Sequence, residues 1–310
     1  MCYIGRSNIL RFLIGIMWQL TVCFIICVLC ILYIVQKLQR PSIGPILEGF
    51  ENPSGFMEND SCYDDFYAKV YDPMVKPASR ALVEVKAPLE AFGKPKSEIR
   101  VADFGCGTGI HVELFAKEGV HSVVGYDKSA AMIAEAKRLY PTRKFLVADF
   151  TDPNVAAADQ FDLITMYYFT IYLIKERSRA LRNIYLWLAP GGMFCVHIVN
   201  KLKFDPLLEA ASPFMGFSIQ KYVDKRATKS HVTFQEFEYT GDFQLDGSRA
   251  IYEEVFKFSD GKVRRHEQQL WMPNIDKMVE EIETVGFKLL DHADLTPIGY
   301  EYQYLFMFRK

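Results

Sequence analysis

An apolar run from Ile99 to Phe104 stops in Gly105-Cys106-Gly107-Thr108-Gly109 and resumes as a helical pattern through Val112, Leu114, Phe115 and Ala116. A strand, a tight glycine turn and a helix in immediate succession form the unit from which parallel α/β sheets are built, so this segment narrows the fold more than any other. Glycines permit positive φ and close approach of a ligand to the backbone, and the helix N-terminus beyond them offers unpaired N–H groups. The dinucleotide fingerprint requires G-x-G-x-x-G. In this chain the third glycine comes one residue early and Ile110 stands where the last glycine belongs, which disfavours an NAD-dependent oxidoreductase.

Further strands follow at regular spacing. Val120 to Tyr126 ends in Asp127, about 20 residues past the glycines, the general position of an acid that reads a ribose diol. Lys144 to Ala148 ends in Asp149-Phe150, Phe161 to Tyr168 forms a fourth strand, and Leu188-Ala189-Pro190-Gly191-Gly192 turns the chain into a fifth, Met193 to Val199. On residues alone, Asp127 and Asp149 also suit helix or turn caps, and Met132 suits a core position.

The segment VADFGCGTG, Val101 to Gly109, resembles motif I of the class I S-adenosylmethionine-dependent methyltransferases, and the later segments match that family's motifs in order. The resemblance implies an α/β fold, a Rossmann-like seven-stranded, mostly parallel sheet with helices on both faces, and S-adenosyl-L-methionine as cofactor. It places Asp103, Gly105, Cys106, Gly107 and Gly109 at the methionine part of the cofactor and Asp127 on the ribose. Met132 then lies under the adenine, and Asp149 and Phe150 meet its amino group and ring. Upstream, YDDFYAKVYD, Tyr63 to Asp72, resembles the lead-in helix of small-molecule methyltransferases, whose aromatic residues, Tyr71 here, fold over the cofactor. Arg80 stands 25 residues before Gly105, where glycine N-methyltransferase-like enzymes carry an arginine for the cofactor's carboxylate, a pairing that a guanidinium makes bidentately. An exposed helix arginine is the plainer alternative. A non-catalytic binding module of the same fold is the rival reading, and intact Asp103, Asp127, Asp149 and the three glycines argue against it.

Residues 201–272 differ in texture. His231 to Tyr239, Arg249 to Phe258 and Lys262 to Met272 alternate as strands, with Asp260-Gly261 as a hairpin turn, so the sequence predicts an inserted antiparallel lid whose aromatics roof an acceptor pocket. Ile275 to Val285 reads as an amphipathic helix, and Phe287 to Leu290 and Tyr302 to Arg309 as closing strands. Methyl transfer from a sulfonium depends chiefly on alignment, so a general base is optional. His197, near the end of the fifth strand, and Tyr168, with Tyr167, at the end of the fourth are the catalytic candidates, because α/β sheets bind ligands at the carboxyl ends of their strands. A packed core histidine is the alternative for His197.

No charge interrupts Phe12 to Gln36, a run long enough at 1.5 Å per residue to cross the roughly 30 Å hydrocarbon core with some tilt. It is too long for the apolar part of a cleaved signal peptide and lacks a small-residue cleavage site. The expected organisation is a tail at 1–11, a transmembrane helix at 12–36, an irregular linker at 37–60 rich in proline and glycine, and a methyltransferase domain at 61–310. Arg6 and Arg11 balance Lys37 and Arg40 across the span, so charge does not fix orientation. A cytosol-facing domain is expected from the cofactor's location and from Cys62, Cys106 and Cys195, which show neither a disulfide pattern nor metal spacing. Beyond residue 47, 32 basic residues face 38 acidic ones, a net charge of −6 that disfavours nucleic acid. The expected acceptor is a small molecule, a lipid or a membrane-proximal protein.

Overall fold

The structure, a computed structural model, describes residues 5–38, 42–43, 54–75, 78–208, 211, 220 and 226–310. The chain opens with α1 (Gly5–Leu38), and a short strand, β1 (Gly55–Glu58), leads into α2 (Asp65–Val75) and α3 (Ala78–Phe92). The predicted alternation of strands and helices then follows: β2 (Arg100–Phe104), α4 (Ile110–Lys117), β3 (Ser122–Asp127), α5 (Ala130–Leu139), β4 (Lys144–Val147), β5 (Phe161–Met166), α6 (Arg177–Trp187) and β6 (Leu188–Val199). These strands are apolar at nearly every position because both faces of the sheet are covered. Val101, Leu163, Met193 and Cys195 pack toward α3 and α4 with Val85, Leu89 and Phe115. Their chain neighbours Ala102, Ile164 and Phe194 point the other way, onto Leu181, Ile184 and Trp187 of α6. Fully burying each such large side chain contributes roughly 1.5–3 kcal/mol.

After α6 and β6 the chain forms a second sheet from β7 (Lys229–Thr233), β8 (Phe237–Asp246), β9 (Arg249–Phe258) and β10 (Val263–Trp271), then returns through α7 (Ile275–Thr284), β11 (Lys288–Asp294) and β12 (Gln303–Arg309). The main sheet has seven strands in the order β11-β12-β6-β5-β2-β3-β4. The five from β4 to β6 run parallel, and β12 closes antiparallel on β6. Since β2 pairs with β3 on one side and β5 on the other, the connections leave it in opposite directions and open a crevice at its carboxyl end. The glycine turn follows β2 at that point.

Three sequence expectations change. His231 to Tyr239 is two strands, because the chain turns at residues 234–236, with Phe234 N–H donating to the Phe237 carbonyl, and β8 then runs on to Asp246. Leu188 to Gly192 is a bulged start of β6 rather than a turn before it. The linker is not irregular throughout: β1 pairs parallel with β10, Ile43 is buried, and Ser42 Oγ donates to Glu236 Oε1 at 2.6 Å. Residues 39–41 and 44–53 of that linker, and 209–210, 212–219 and 221–225 of the expected lid, lie outside the described residues. Among the described residues no helix is long and apolar enough to cross a membrane. The expected span at 12–36 lies on α1, whose described side chains are those of residues 17–31, 33 and 34, all of them exposed.

Candidate functional site

The glycine turn is held by the strand beside it. Gly105 and Cys106 both donate N–H bonds to the Tyr126 carbonyl, at 2.8 and 3.0 Å, and Gly109 N–H closes the turn on the Cys106 carbonyl. Gly105 has φ +72°, and a side chain there would run into Thr170. Gly107, at φ +53°, has open space where a Cβ would stand, so its backbone is bare toward the cavity. Gly109 is glycine for another reason: at φ +90° its Cβ would come within 2.6 Å of the Phe145 ring.

At the end of β3, Asp127 accepts N–H bonds from Gly107 at 2.9 Å on one carboxylate oxygen and from Ser129 at 2.8 Å on the other. Burial raises its pKa, and these two N–H groups oppose the rise. Each oxygen keeps a lone pair, as a ribose diol requires. Ser129, not Asp127, caps α5, with its Oγ accepting from Met132 N–H at 3.1 Å. Asp149, beyond β4, accepts from Thr151 N–H and Oγ1. Burial would raise Asp149, but these bonds and Lys128 outweigh it and hold the carboxyl below its usual range. Lys128 Nζ reaches Asp60 at 2.6 Å and Asp149 at 3.4 Å, tying the segment before α2 across this end of the cavity.

On the other side of the turn, Thr108 Oγ1 donates to Asp72 of α2 at 2.6 Å. Arg80 of α3 is buried, with Nε 3.3 Å from Glu84 and its guanidinium 3.9 Å above the Tyr168 ring, so it is not the exposed helix arginine of the alternative. Glu84 also meets His111 Nε2 at 2.6 Å. Burial alone would raise its pKa, but Arg80 and His111 outweigh that and lower it.

Arg80, Gly105, Gly107, Thr108, His111, Asp127, Lys128 and Asp149 line one cavity of about 1380 Å³, together with Tyr71, Cys106, Met132, Phe150 and Tyr168. Tyr168 adopts φ +52°, a left-handed conformation costly for a bulky residue, at the carboxyl end of β5. On the side of the second sheet the cavity is walled by Phe243, Tyr252, Glu254, Gln268 and Leu270.

Three sequence candidates stand behind the wall rather than in it. Gly109 is required by packing against Phe145, as above. Asp103 is buried against Thr165 Oγ1 at 2.7 Å, and burial pushes its pKa up to about 6. His197 is wholly buried, with Nδ1 bonded to the Tyr168 carbonyl at 2.8 Å, and burial pushes it down to about 4, so it is a neutral ring that pins the strained Tyr168 backbone. Lys128, Thr108 and Glu254 were not singled out from the sequence. Lys128 follows Asp127 directly, and Glu254 lies in phase with Tyr252, Phe256 and Phe258 on its strand; these are the signals that mark them.

Comparison with known proteins agrees with this geometry. Residues 101–192 match the family model of a methyltransferase domain. An S-adenosylmethionine-dependent methyltransferase from Clostridium acetobutylicum ATCC 824 superposes with a TM-score of 0.60 at 16% identity, over 80% of this chain and 98% of that one. The fold is that of the class I S-adenosylmethionine-dependent methyltransferases. The trans-aconitate 2-methyltransferase of Variovorax paradoxus (strain S110) is 29% identical over 133 residues, 43% of this chain and 48% of that protein. The dTDP-4-amino-2,3,4,6-tetradeoxy-D-glucose N,N-dimethyltransferase of Saccharopolyspora spinosa is 31% identical over 144 residues, 44% and 56% respectively. The chain thus spans about half the length of the curated relatives it matches. These comparisons give a methyltransferase domain at residues 101–192 and, for the chain, the fold of S-adenosylmethionine-dependent methyltransferases.

Proposed function

We propose that this chain transfers a methyl group from S-adenosylmethionine to a small-molecule or lipid acceptor beside a membrane. The observation that carries this reading is the single cavity with the glycine turn, Asp127 and Asp149 at one end and the second sheet at the other. Pockets for one drug-sized ligand measure roughly 300–1,000 Å³. At about 1380 Å³ this cavity has room for a cofactor and an acceptor together.

The residues present suit the cofactor. Asp127 has lone pairs left for two hydroxyls, Gly107 leaves open space at the turn, and Met132 and Phe150 offer apolar walls to a flat ring. Arg80 presents a guanidinium for a carboxylate. When bound, S-adenosylmethionine supplies a methyl group on a positively charged sulfur, an electrophile that needs only an aligned nucleophile. The chain's work is therefore to hold and to exclude water: Tyr63, Tyr67 and Tyr71 cover the cavity from α2 and the segment before it, and Tyr168 borders the space between its two ends. The test is incubation of the full chain with methyl-labelled S-adenosylmethionine and membrane extract. A labelled small molecule or lipid is expected, and the absence of any labelled product would overturn the assignment.

The membrane part of the proposal rests on the uncharged run from Phe12 to Gln36 and on side chains such as Met17, Trp18 and Phe24, each about 70% exposed. A helix apolar on every side is stable when buried in protein or in lipid, and among the described residues these side chains touch no protein core. With Lys37 and Arg40 on the catalytic side, we place the domain in the cytosol, where the cofactor is made and thiols stay reduced. Protease treatment of sealed microsomes should digest the domain. Protection until detergent is added would mean the opposite orientation.

A further inference from the structure

Beneath the acceptor end of the cavity lies a buried carboxylate whose charge is not balanced by its own surroundings. Glu254 is 1% exposed and borders the cavity. Its Oε1 accepts hydrogen bonds from Tyr67 at 3.1 Å and Tyr239 at 2.9 Å. Its Oε2 lies 3.4 Å from His266 Nδ1 and 3.5 Å from Gln268 Nε2. Among the described residues no Lys or Arg pairs with it: Arg264 pairs with Asp64 at 2.9 Å and donates from Nε to His266 Nε2 at 2.6 Å. Since that nitrogen accepts, His266 carries its proton on Nδ1 and is neutral as drawn by these bonds. Arg264 and Asp64 cancel, and among the described residues the cluster is left with the single negative charge of Glu254. A buried charge is costly unless it is paired.

The tyrosines give this charge a direction. A phenol has one proton, and that of Tyr239 goes to Glu254, so the 2.9 Å bond between Tyr239 and Tyr252 must be donated by Tyr252. Tyr252 borders the cavity, and its proton points inward along the chain Tyr252, Tyr239, Glu254. What it offers the cavity is a lone pair. Burial first, and then the charge of Glu254, raise all three tyrosines Tyr67, Tyr239 and Tyr252 well above the ordinary phenol range, so they remain donors toward the carboxylate. A ligand group placed there must bring hydrogen to donate and positive charge to neutralise Glu254. A carboxylate brings neither, and an alcohol brings only the first.

We infer that the acceptor is an amine, bound as its ammonium against Tyr252 and Glu254, and that Glu254 receives the proton which the nitrogen must lose before methylation. This rests on the methyl transfer proposed above. In the proton step an N–H bond breaks and a carboxyl O–H bond forms, through the hydroxyls of Tyr252 and Tyr239, each of which gives up one proton as it gains another. The ammonium and carboxylate charges vanish together, and the freed nitrogen lone pair is the nucleophile.

The test uses the full chain in detergent with S-adenosylmethionine carrying a labelled methyl group and membrane extract. The expected product keeps its label through mild alkali and is retained on a cation exchanger, as an N-methyl amine is. Label released by alkali as methanol marks a methyl ester, and alkali-stable label that passes the exchanger uncharged marks an O-methyl ether; either overturns the inference while leaving methyl transfer standing. Absence of all labelled product overturns both. A second arm separates Glu254's role from a structural one. Glu254→Gln should lower N-methyl product at least 100-fold with cofactor affinity by calorimetry unchanged within threefold, and Glu254→Asp should restore part of the activity. A Glu254→Gln variant that loses cofactor affinity in parallel, or that keeps full activity, assigns Glu254 to the framework and contradicts the inference.

Discussion

At the glycine-turn end of the cavity, Asp127 is held by N–H groups 20 and 2 residues away in sequence, whereas at the other end Glu254 is held by Tyr67, 187 residues away. The first arrangement is built by one crossover of a parallel sheet. The second draws its bonds from three strands of the second sheet and, through Tyr67, needs α2 docked on that sheet as well. Backbone groups dominate the cofactor end and side chains the acceptor end. A fold that keeps one end fixed by main-chain geometry leaves the other free to take whatever side chains an acceptor demands.

That contrast is sharpest where the backbone allows no substitute. Gly109→Ala places a Cβ 2.6 Å from Phe145 at φ +90°, so a loss of about 3 kcal/mol in unfolding free energy is expected in chemical denaturation. Near wild-type stability would show that the turn yields more than its packing implies. Next in size is a pH effect behind the turn. Asp103 has its carboxyl raised to about 6 by burial, above its ordinary value of 3.8, so its contribution to stability is full below pH 4 and is lost as pH rises through 6. Asp103→Asn should therefore gain on the wild type by on the order of 2 kcal/mol between pH 4 and pH 8, read from paired denaturation curves. A constant difference across that range would mean that the carboxylate is stabilised by its surroundings after all.

Asp127→Ala should weaken cofactor binding by about 2 kcal/mol, the loss of charge-assisted bonds to two hydroxyls, with little change in fold stability. An unchanged affinity would reduce Asp127 to a clasp between Gly107 and Ser129. The smallest effect is expected for Lys128→Ala, about 0.5 kcal/mol in cofactor affinity, because Lys128 is itself more than half exposed in its pairs with Asp60 and Asp149. A larger loss would show that Lys128 touches the cofactor itself.

How far the sequence was legible follows the same division. The strand, the turn and Asp127 lie within thirty residues of one another, so periodicity and spacing set them at one end of the sheet, while the ribose role of Asp127 is what the family resemblance implies. The errors came where one residue answers to two neighbours. Gly109 looked like a ligand contact but is required by Phe145, and Asp103 and His197 sit on the right strands yet face inward, onto Thr165 and the Tyr168 carbonyl. Strand membership fixes which end of a sheet a residue occupies, but alternation decides which side it faces, and a fully buried strand gives no polar signal to reveal it. The strand at Gly55–Glu58 was hidden for a different reason: its partner is β10, more than 200 residues on, and its own four residues carry no pattern. Glu254 shares its strand parity with Ala250, Tyr252, Phe256 and Phe258, so alternation places it on the covered face; what the sequence does not give is its partner Tyr67, 187 residues away.

The central claim, that the turn at Gly105–Gly109 with Asp127 and Asp149 forms an S-adenosylmethionine site, is tested most directly by calorimetry of the full chain in detergent. One equivalent of S-adenosylmethionine or its demethylated product should bind, with no heat from NAD beyond dilution. Binding of NAD without binding of the methyl donor would contradict it.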